Sequence, residues 1–600
     1  MSNIISPVEY YKPRIKELEA ILADLNKVKT RIAWLRFASI VTAFVSCYLL
    51  WNISIGIALF SFALFFGLFL RLVVLDIKNK TKIENTNTLI HINNEEIKIS
   101  QHDFTHLPGG ESFLPPVHAY ASDLDIFGRA SIYQYINRTN SEQGNKLLAD
   151  WLLQPADENE ITARQEAVKE LSAKTEWRQQ LQAYGTKDKI KIATQQKIND
   201  WIQEENHFLD KGSWNAIRFI LPGVILVILG FYIAGMIPGP IFFGIAFIFF
   251  LVAGAISKKI MPIYDNLNKI AAQIETLSDS AAWIESADFK SGLLQQLRQQ
   301  FYTGNKKSSA DIKHLKQILD RFDIRLNPLV FIPLNTLLFW DLQQAFALEK
   351  WKKQHKEKMS QWFNGLGELE SLSSLSNIAF NHPAWCFPVI SNERGTLQTE
   401  ELGHPLIDQS KRINNSFSTA GLNQLALITG SNMAGKSTFL RSVGVNIVLA
   451  MMGAPVCAKS FTIYPVKVMS SMRIADNLEE STSTFYAELK KLKSIIEAVN
   501  RKEKIFILLD EILRGTNSLD RHTGSKALIK QLIQQQAVGM IATHDLELAK
   551  LAEEFPGNIH NYHFDVQVAN DELYFDYKLK TGICESLNAS ILMKKIGIEM

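Results

Sequence analysis

Leu425-Ala426-Leu427-Ile428-Thr429 runs without a break into Gly430-Ser431-Asn432-Met433-Ala434-Gly435-Lys436-Ser437-Thr438, and this stretch decides the reading of the C-terminal third. An apolar strand ends at G-x-x-x-x-G-K-S, and a helical pattern follows from Lys436 to Leu449. Glycines let the backbone close around phosphates, while amide N–H groups and the helix N-terminus supply positive potential. In such a loop Lys436 reaches the β- and γ-phosphates and Ser437 ligates Mg²⁺. The spacing predicts a binding site for ATP and Mg²⁺ over residues 430–438.

Downstream, Ile505-Phe506-Ile507-Leu508-Leu509 ends in Asp510-Glu511. A buried strand closing on two carboxylates suits a cation and a reaction. Asp510 is expected to hold Mg²⁺ through water, and Glu511 to orient and deprotonate the attacking water. Short apolar runs (Leu425 to Thr429, Ile505 to Leu509, Val538 to Ala542) alternate with helical stretches (Lys436 to Leu449, Thr484 to Val499, Thr523 to Gln536). That alternation predicts a largely parallel α/β sheet covered on both faces. The serial order of phosphate loop, Ser483 at a helix start, Asp510-Glu511, Asp520 and His544 resembles that of ABC-type ATPases. The resemblance implies that Ser483 reads the γ-phosphate held by another subunit, and that His544 contacts it in cis.

Outward from this segment, the chain has 600 residues, enough for several domains, with 47% hydrophobic and 21% charged residues. Such a composition excludes a mainly disordered or fibrous protein. Lys+Arg 64 against Asp+Glu 61 gives +3, so no whole-chain basic excess announces nucleic acid. Cys47, Cys386, Cys457 and Cys584 lie far apart, which argues against a disulfide framework or a zinc site. Two segments break the average: Phe37 to Leu70 is 34 residues without a charge, and Phe219 to Ser257 is 39. Each exceeds one bilayer span of roughly 20 residues and suits two. Turn formers sit mid-run at Asn52-Ile53-Ser54 and at Pro238-Gly239-Pro240. Lysines and arginines flank both runs (Arg31, Arg36, Arg71; Lys211, Arg218, Lys258, Lys259), so the uncharged turns should lie outside and the soluble parts in the cytoplasm. The expected location is the inner, cytoplasmic membrane, in contact with membrane lipids.

The expected divisions are an amphipathic helix at residues 1–31, a transmembrane hairpin at 32–75 and a linker at 76–121 with a small β element over Leu89–Ile99. Helical core follows at 122–213, a second hairpin at 214–257, a helical lever or core at 258–386, and the ATPase domain at 387–600. The fold class is thus an α/β ABC-type ATPase domain plus an all-α core and lever, with two transmembrane hairpins.

The residues that carry these motifs resemble the MutS family. Thr429-Gly430-Ser431-Asn432-Met433-Ala434-Gly435-Lys436-Ser437-Thr438 is similar to that family's T-G-P-N-M-G-G-K-S-T. The likeness continues at Ser483-Thr484-Phe485 with Glu488, at Arg514-Gly515-Thr516, at Ala542-Thr543-His544, and at Tyr577-Lys578-Leu579 with Gly582-Ile583. Upstream, Gly403-His404-Pro405-Leu406-Ile407 and the stretch from Asn137 to Arg164 join it. The resemblance implies a homodimer, with each ATP between one subunit's phosphate loop and the other's Ser483, acting on double-stranded DNA. Departures accompany it: no Phe-x-Glu wedge motif occurs, and Arg412 stands near where the family stacks adenine on an aromatic ring. Three readings follow, a membrane-tethered ATPase acting on DNA, a mechanochemical ATPase acting on a membrane or repair partner, and a nucleotide-switched scaffold. Glu511 argues against the last, since a pure switch needs no water-activating carboxylate. The richest basic runs are Lys350 to Lys358 and Lys490 to Lys504.

Overall fold

The computed structural model describes residues 7–431, 434–473, 484–569 and 572–584. The chain falls into two units, one of Met1–Asn137, Leu148–Gln179 and Ser374–Met600, the other of Arg138–Leu147 and Gln180–Ser373.

The first unit opens with two long helices, α1 (Pro7–Trp51) and α2 (Ile55–Ser100), joined by a three-residue turn at Asn52, Ile53 and Ser54. At 1.5 Å per residue each is about 68 Å long. They pair along their length through Ser61 Oγ to Ser46 Oγ (2.8 Å), Arg36 to Asp76 (2.6 Å) and Asn79 Nδ2 to the Leu25 carbonyl (3.0 Å). Phe44, Leu49, Phe60 and Leu64 face outward, and Tyr48 is 81% exposed. Both helices are long and apolar enough to cross a membrane. Residues 76–100, expected as a polar linker with a β element over Leu89–Ile99, are instead the second half of α2. The Ile-rich stretch resembles a strand locally, but Leu89, Ile92, Asn93, Glu96 and Ile99 are buried at spacings of three and four, a helical period. This base is fastened by Tyr11 Oη donating to Asn381 (2.7 Å), Asn381 Nδ2 donating to Glu96 (2.8 Å), and Asn93 and Gln179 exchanging side-chain bonds.

The second unit is helical apart from a two-residue ladder, Tyr302–Thr303 with Lys306–Lys307. It contains α3 (Gly212–Ile233) and α4 (Gly239–Asn268), also long and apolar enough to cross a membrane. The turn between them covers residues 234–238, slightly before the expected Pro238-Gly239-Pro240. Pro238 caps α4 and Pro240 sits in its first turn, where a missing N–H costs nothing. A further apolar helix, α5 (Pro328–Leu338), precedes α6 (Trp340–His355). From α6, buried Glu349 accepts the backbone N–H groups of His207, Phe208 and Leu209, and Lys352 Nζ donates to the carbonyls of Trp201 and Glu204. Together they fix the chain entering α3.

The remainder of the first unit is the α/β region. Strands β1 (Gln424–Thr429), β2 (Lys467–Ser471), β3 (Ile505–Asp510), β4 (Val538–Ala542), β5 (Ile559–Ala569) and β6 (Glu572–Thr581) form one sheet in the order β6-β5-β1-β4-β3-β2. All neighbours are parallel except β5 and β6. Every residue of β3 is buried, as a strand covered on both faces requires. On one face α7 (Lys436–Met451) brings Gly444 against Leu508. On the other, α8 (Thr484–Asn500) and α9 (Ser518–Gln534) pack Ile495, Val499, Ile529 and Leu532 onto Leu427, Ile507, Leu509 and Ile541. A four-stranded sheet in the order Val389–Ile390, Ser460–Ile463, Leu397–Leu402, Asn415–Thr419 precedes and flanks this core.

In the second unit Glu370 is 4% exposed and accepts bonds from Ser141 N (3.0 Å) and Ser141 Oγ (2.5 Å). Burial raises its carboxyl from the ordinary 4.5 to about 6. A raised folded-state value means the contribution is present below pH 4.5 and lost as pH rises through about 6. Chemical unfolding of the wild type should lose about 2 kcal/mol across that window relative to Glu370→Gln, whose profile should be flatter.

Candidate functional site

The carboxyl ends of β1, β4 and β3 come together at one edge of the sheet, and each delivers part of the site. After β1 the backbone takes φ +139° at Gly430 and +102° at Gly435, which caps α7. At Gly430 a Cβ would stand 2.8 Å from the Phe564 carbonyl of β5, so only glycine lets the loop pass that strand. Ala434 is buried, and the Thr438 carbonyl accepts from Ser442 Oγ inside α7 (2.8 Å). Lys436 is buried, its Nζ folded back onto the carbonyls of Gly430 (2.6 Å) and Ser431 (2.9 Å). Burial holds its ammonium below the ordinary lysine value.

Ser437 Oγ donates to Asp510 Oδ2 at 2.5 Å, joining the first turn of α7 to the end of β3. Asp510 is 5% exposed, its other oxygen has no hydrogen-bond partner among the described residues, and burial pushes its carboxyl up. A hydroxyl and a buried carboxylate with a spare oxygen, beside a phosphate loop, fit a hard divalent cation.

Glu511 follows in the left-handed region, φ +49°, an unusual setting for a residue with a side chain. Its N–H bonds the Ala542 carbonyl of β4 (2.9 Å), which holds the kink in place. Its carboxylate lies 3.2 Å from Arg514 Nε and 3.7 Å from His544 Nδ1. That nitrogen of His544 is buried and, among the described residues, without a hydrogen-bond partner. Lys436, Ser437, Asp510, Glu511 and His544 are thereby brought together. Asn432, Met433 and Ser483 lie outside the described residues. Asp520 is turned to Asn517, whose Nδ2 donates to it (2.7 Å) at the start of α9.

Three carboxylates tie this edge to its surroundings. Glu488, on the otherwise apolar stripe of α8 with Leu492, Ile495 and Val499, accepts the Leu513 N–H (2.5 Å) and so anchors the loop after Glu511. A charged residue on an apolar stripe was the signal for it. Asp123, 1% exposed, accepts from Ser470 Oγ (2.7 Å), Arg473 N (3.0 Å) and Lys491 Nζ (3.0 Å). Asp125 takes Arg441 of α7 (3.1 Å) and Arg473. Nothing local marks these two, because their partners lie more than 300 residues away. Arg412 gives its Nε to Asn414 and lies against Gly403, and the Tyr577 ring lies against Gly435. The two basic runs are not single solvated faces either: Lys352 and His355 are buried, and Lys491 is engaged by Asp123.

Residues 426–595 match the family described as MutS domain V. The chain is 34% identical over 226 residues to the DNA mismatch repair protein MutS of Protochlamydia amoebophila, covering 36% of this chain and 26% of that protein. It is 29% identical over 235 residues to the DNA mismatch repair protein MutS of Natronomonas pharaonis, covering 38% and 27%. It is 35% identical over 214 residues to MutS protein homolog 4 of Homo sapiens, covering 34% and 22%. The match thus spans about a quarter of those relatives' length, and over that segment the chain is similar to MutS domain V.

Removing the Asp123 carboxylate should strand Lys491 and two backbone N–H groups. Asp123→Ala is expected to cost roughly 2–3 kcal/mol in chemical denaturation of the solubilised protein, and Asp123→Asn, which keeps acceptors, clearly less.

Proposed function

We propose that this MutS-family chain is a membrane-anchored ATPase that binds ATP and Mg²⁺ between two copies of itself, hydrolyses it, and couples turnover to double-stranded DNA. The observation that carries the reading is the Ser437–Asp510 contact with Glu511 and His544 at the same sheet edge. Ser437 and Asp510 would hold the Mg²⁺, which neutralises charge on the β- and γ-phosphate oxygens. Lys436 exchanges its loop carbonyls for those oxygens. Glu511, released from Arg514, positions the attacking water and takes its proton. His544 donates toward the γ-phosphate from the neighbouring strand end, and Ser483 of the second copy completes the grip. The assigned nucleotide contacts run from Gly430 through Thr438.

Anchoring is supported by the four long apolar helices and by lysines and arginines at their bases. The soluble parts then face the cytoplasm. DNA as the ligand is supported by the relatives, two of which are DNA mismatch repair proteins. A second reading, in which turnover moves a membrane partner without DNA, is favoured by the burial of Lys352 and His355 within the basic run.

Glu511→Gln should lower turnover by roughly 10²–10⁴-fold while retaining ATP, and Lys436→Ala should abolish tight binding. Unchanged hydrolysis in both variants would end the assignment. Duplex DNA should stimulate the wild type, with affinity falling by a slope of about −0.9 per phosphate contacted as salt rises. No stimulation and no binding at low salt would leave the second reading. A cysteine at Ser54 or Gly239 should react with an impermeant thiol reagent in intact cells.

A further inference from the structure

We infer that α5 (Pro328–Leu338) is a lipid-contacting element, lying in the cytoplasmic boundary of the bilayer against α3 and α4 rather than crossing it. The inference rests on the reading that α3 and α4 span the membrane.

From Leu326 to Trp340 there are 15 residues without a charge. The helix itself is 11 residues, about 16 Å, roughly half the thickness of the hydrocarbon core. It packs on both α3 and α4. Its contacts with α4 are ordered along the helix: Phe339 lies 6.1 Å from Phe249, Asn335 Nδ2 donates to Ser257 Oγ (3.0 Å), and Arg325 reaches Met261 and stacks over Tyr264 (4.4 Å). Exposed Lys258 and Lys259 follow Ser257 directly. The segment therefore straddles the level where α4 changes from apolar to charged, with Phe339 on the apolar side and Arg325 on the charged one.

Its polar groups point inward and pair. Asn335 Oδ1 accepts from Asp341 N (3.2 Å), and buried Asp341 meets Arg325 at 3.0 Å. Its apolar groups point outward: Leu326, Val330 and Ile332 are exposed, and Leu329 is 88% exposed. A helix bathed in water has the opposite arrangement. Inward polar pairing with outward aliphatics is what a lipid environment selects. Phe219, Phe247, Leu251 and Val252 of α3 and α4 are exposed in the same way, as one apolar medium around all three helices would allow. Trp340 donates to the Arg321 carbonyl (2.9 Å) and Trp214 lies beneath Lys259 (5.9 Å), and indoles favour the headgroup boundary.

The test uses the full chain, with native cysteines replaced, reconstituted in vesicles of phosphatidylcholine and phosphatidylglycerol. Leu329→Cys, Ile332→Cys, Phe247→Cys and Lys306→Cys are each labelled with an environment-sensitive fluorophore. Vesicles then carry a nitroxide quencher either high on the acyl chain or near its end. Labels at positions 329 and 332 should lose emission mainly to the shallow quencher, position 247 mainly to the deep one, and position 306 to neither. If 329 and 332 behave like 306 while 247 is quenched, α5 faces water or a protein, and the inference is overturned with the spanning helices intact. If 247 is also unquenched, the spanning reading fails and the inference with it. Equal quenching of 329 by the deep probe would place α5 within the core and overturn its boundary position.

Discussion

A carboxylate buried at the end of a wholly apolar strand is unfavourable unless something meets it. Asp510 is in that position, and the hydroxyl that meets it comes from the first turn of the helix after the phosphate loop. For that contact to form, β1 and β3 must lie one strand apart with their carboxyl ends level, which the parallel order β1-β4-β3 achieves. The same registry lets the Glu511 N–H close on β4 and sets His544 beside the Glu511 carboxylate. The sheet, the left-handed kink and the anchoring by Glu488 all serve to keep three strand ends level. Asp510 keeps one oxygen unpartnered among the described residues, which suits a cation beside Ser437.

The rest of the chain obeys a different constraint. Along the uncharged stretches of α1 to α4 most large side chains are exposed, while Ser46 with Ser61 and Arg36 with Asp76 pair within the first hairpin. The α/β region sorts its residues the other way. Within the first unit the two regimes meet at the base of α1 and α2, where Tyr11, Glu96 and Asn381 form a hydrogen-bonded knot. Asn381 ends the helix that leads into the strands before β1, so the hairpin base is joined covalently and by hydrogen bonds to the α/β region of its unit.

Much of this was legible in the residues. Parallel strands buried on both faces are continuous apolar runs, so β1, β3 and β4 lie within a residue of where the sequence placed them. The glycine-rich loop after β1 and the two carboxylates after β3 stand out in the sequence because the spacing that marks them is local. The second half of α2 was not, since isoleucines spaced for a helix also satisfy a strand over ten residues. Asp123 and Asp125 were invisible because their partners are brought close only by the fold. The short helix α5 was hidden by its length, too brief to register as a span and too apolar to stand out among amphipathic neighbours.

The turns between the paired apolar helices are very short, three residues after α1 and five after α3. In the proposed orientation, the described residues offer almost no surface to the compartment beyond the bilayer. Among the described residues no loop there is long enough to fold into a receptor site. News from that side would have to arrive sideways, through a neighbouring span, or as altered bilayer thickness and lateral pressure acting on the length of the helices themselves.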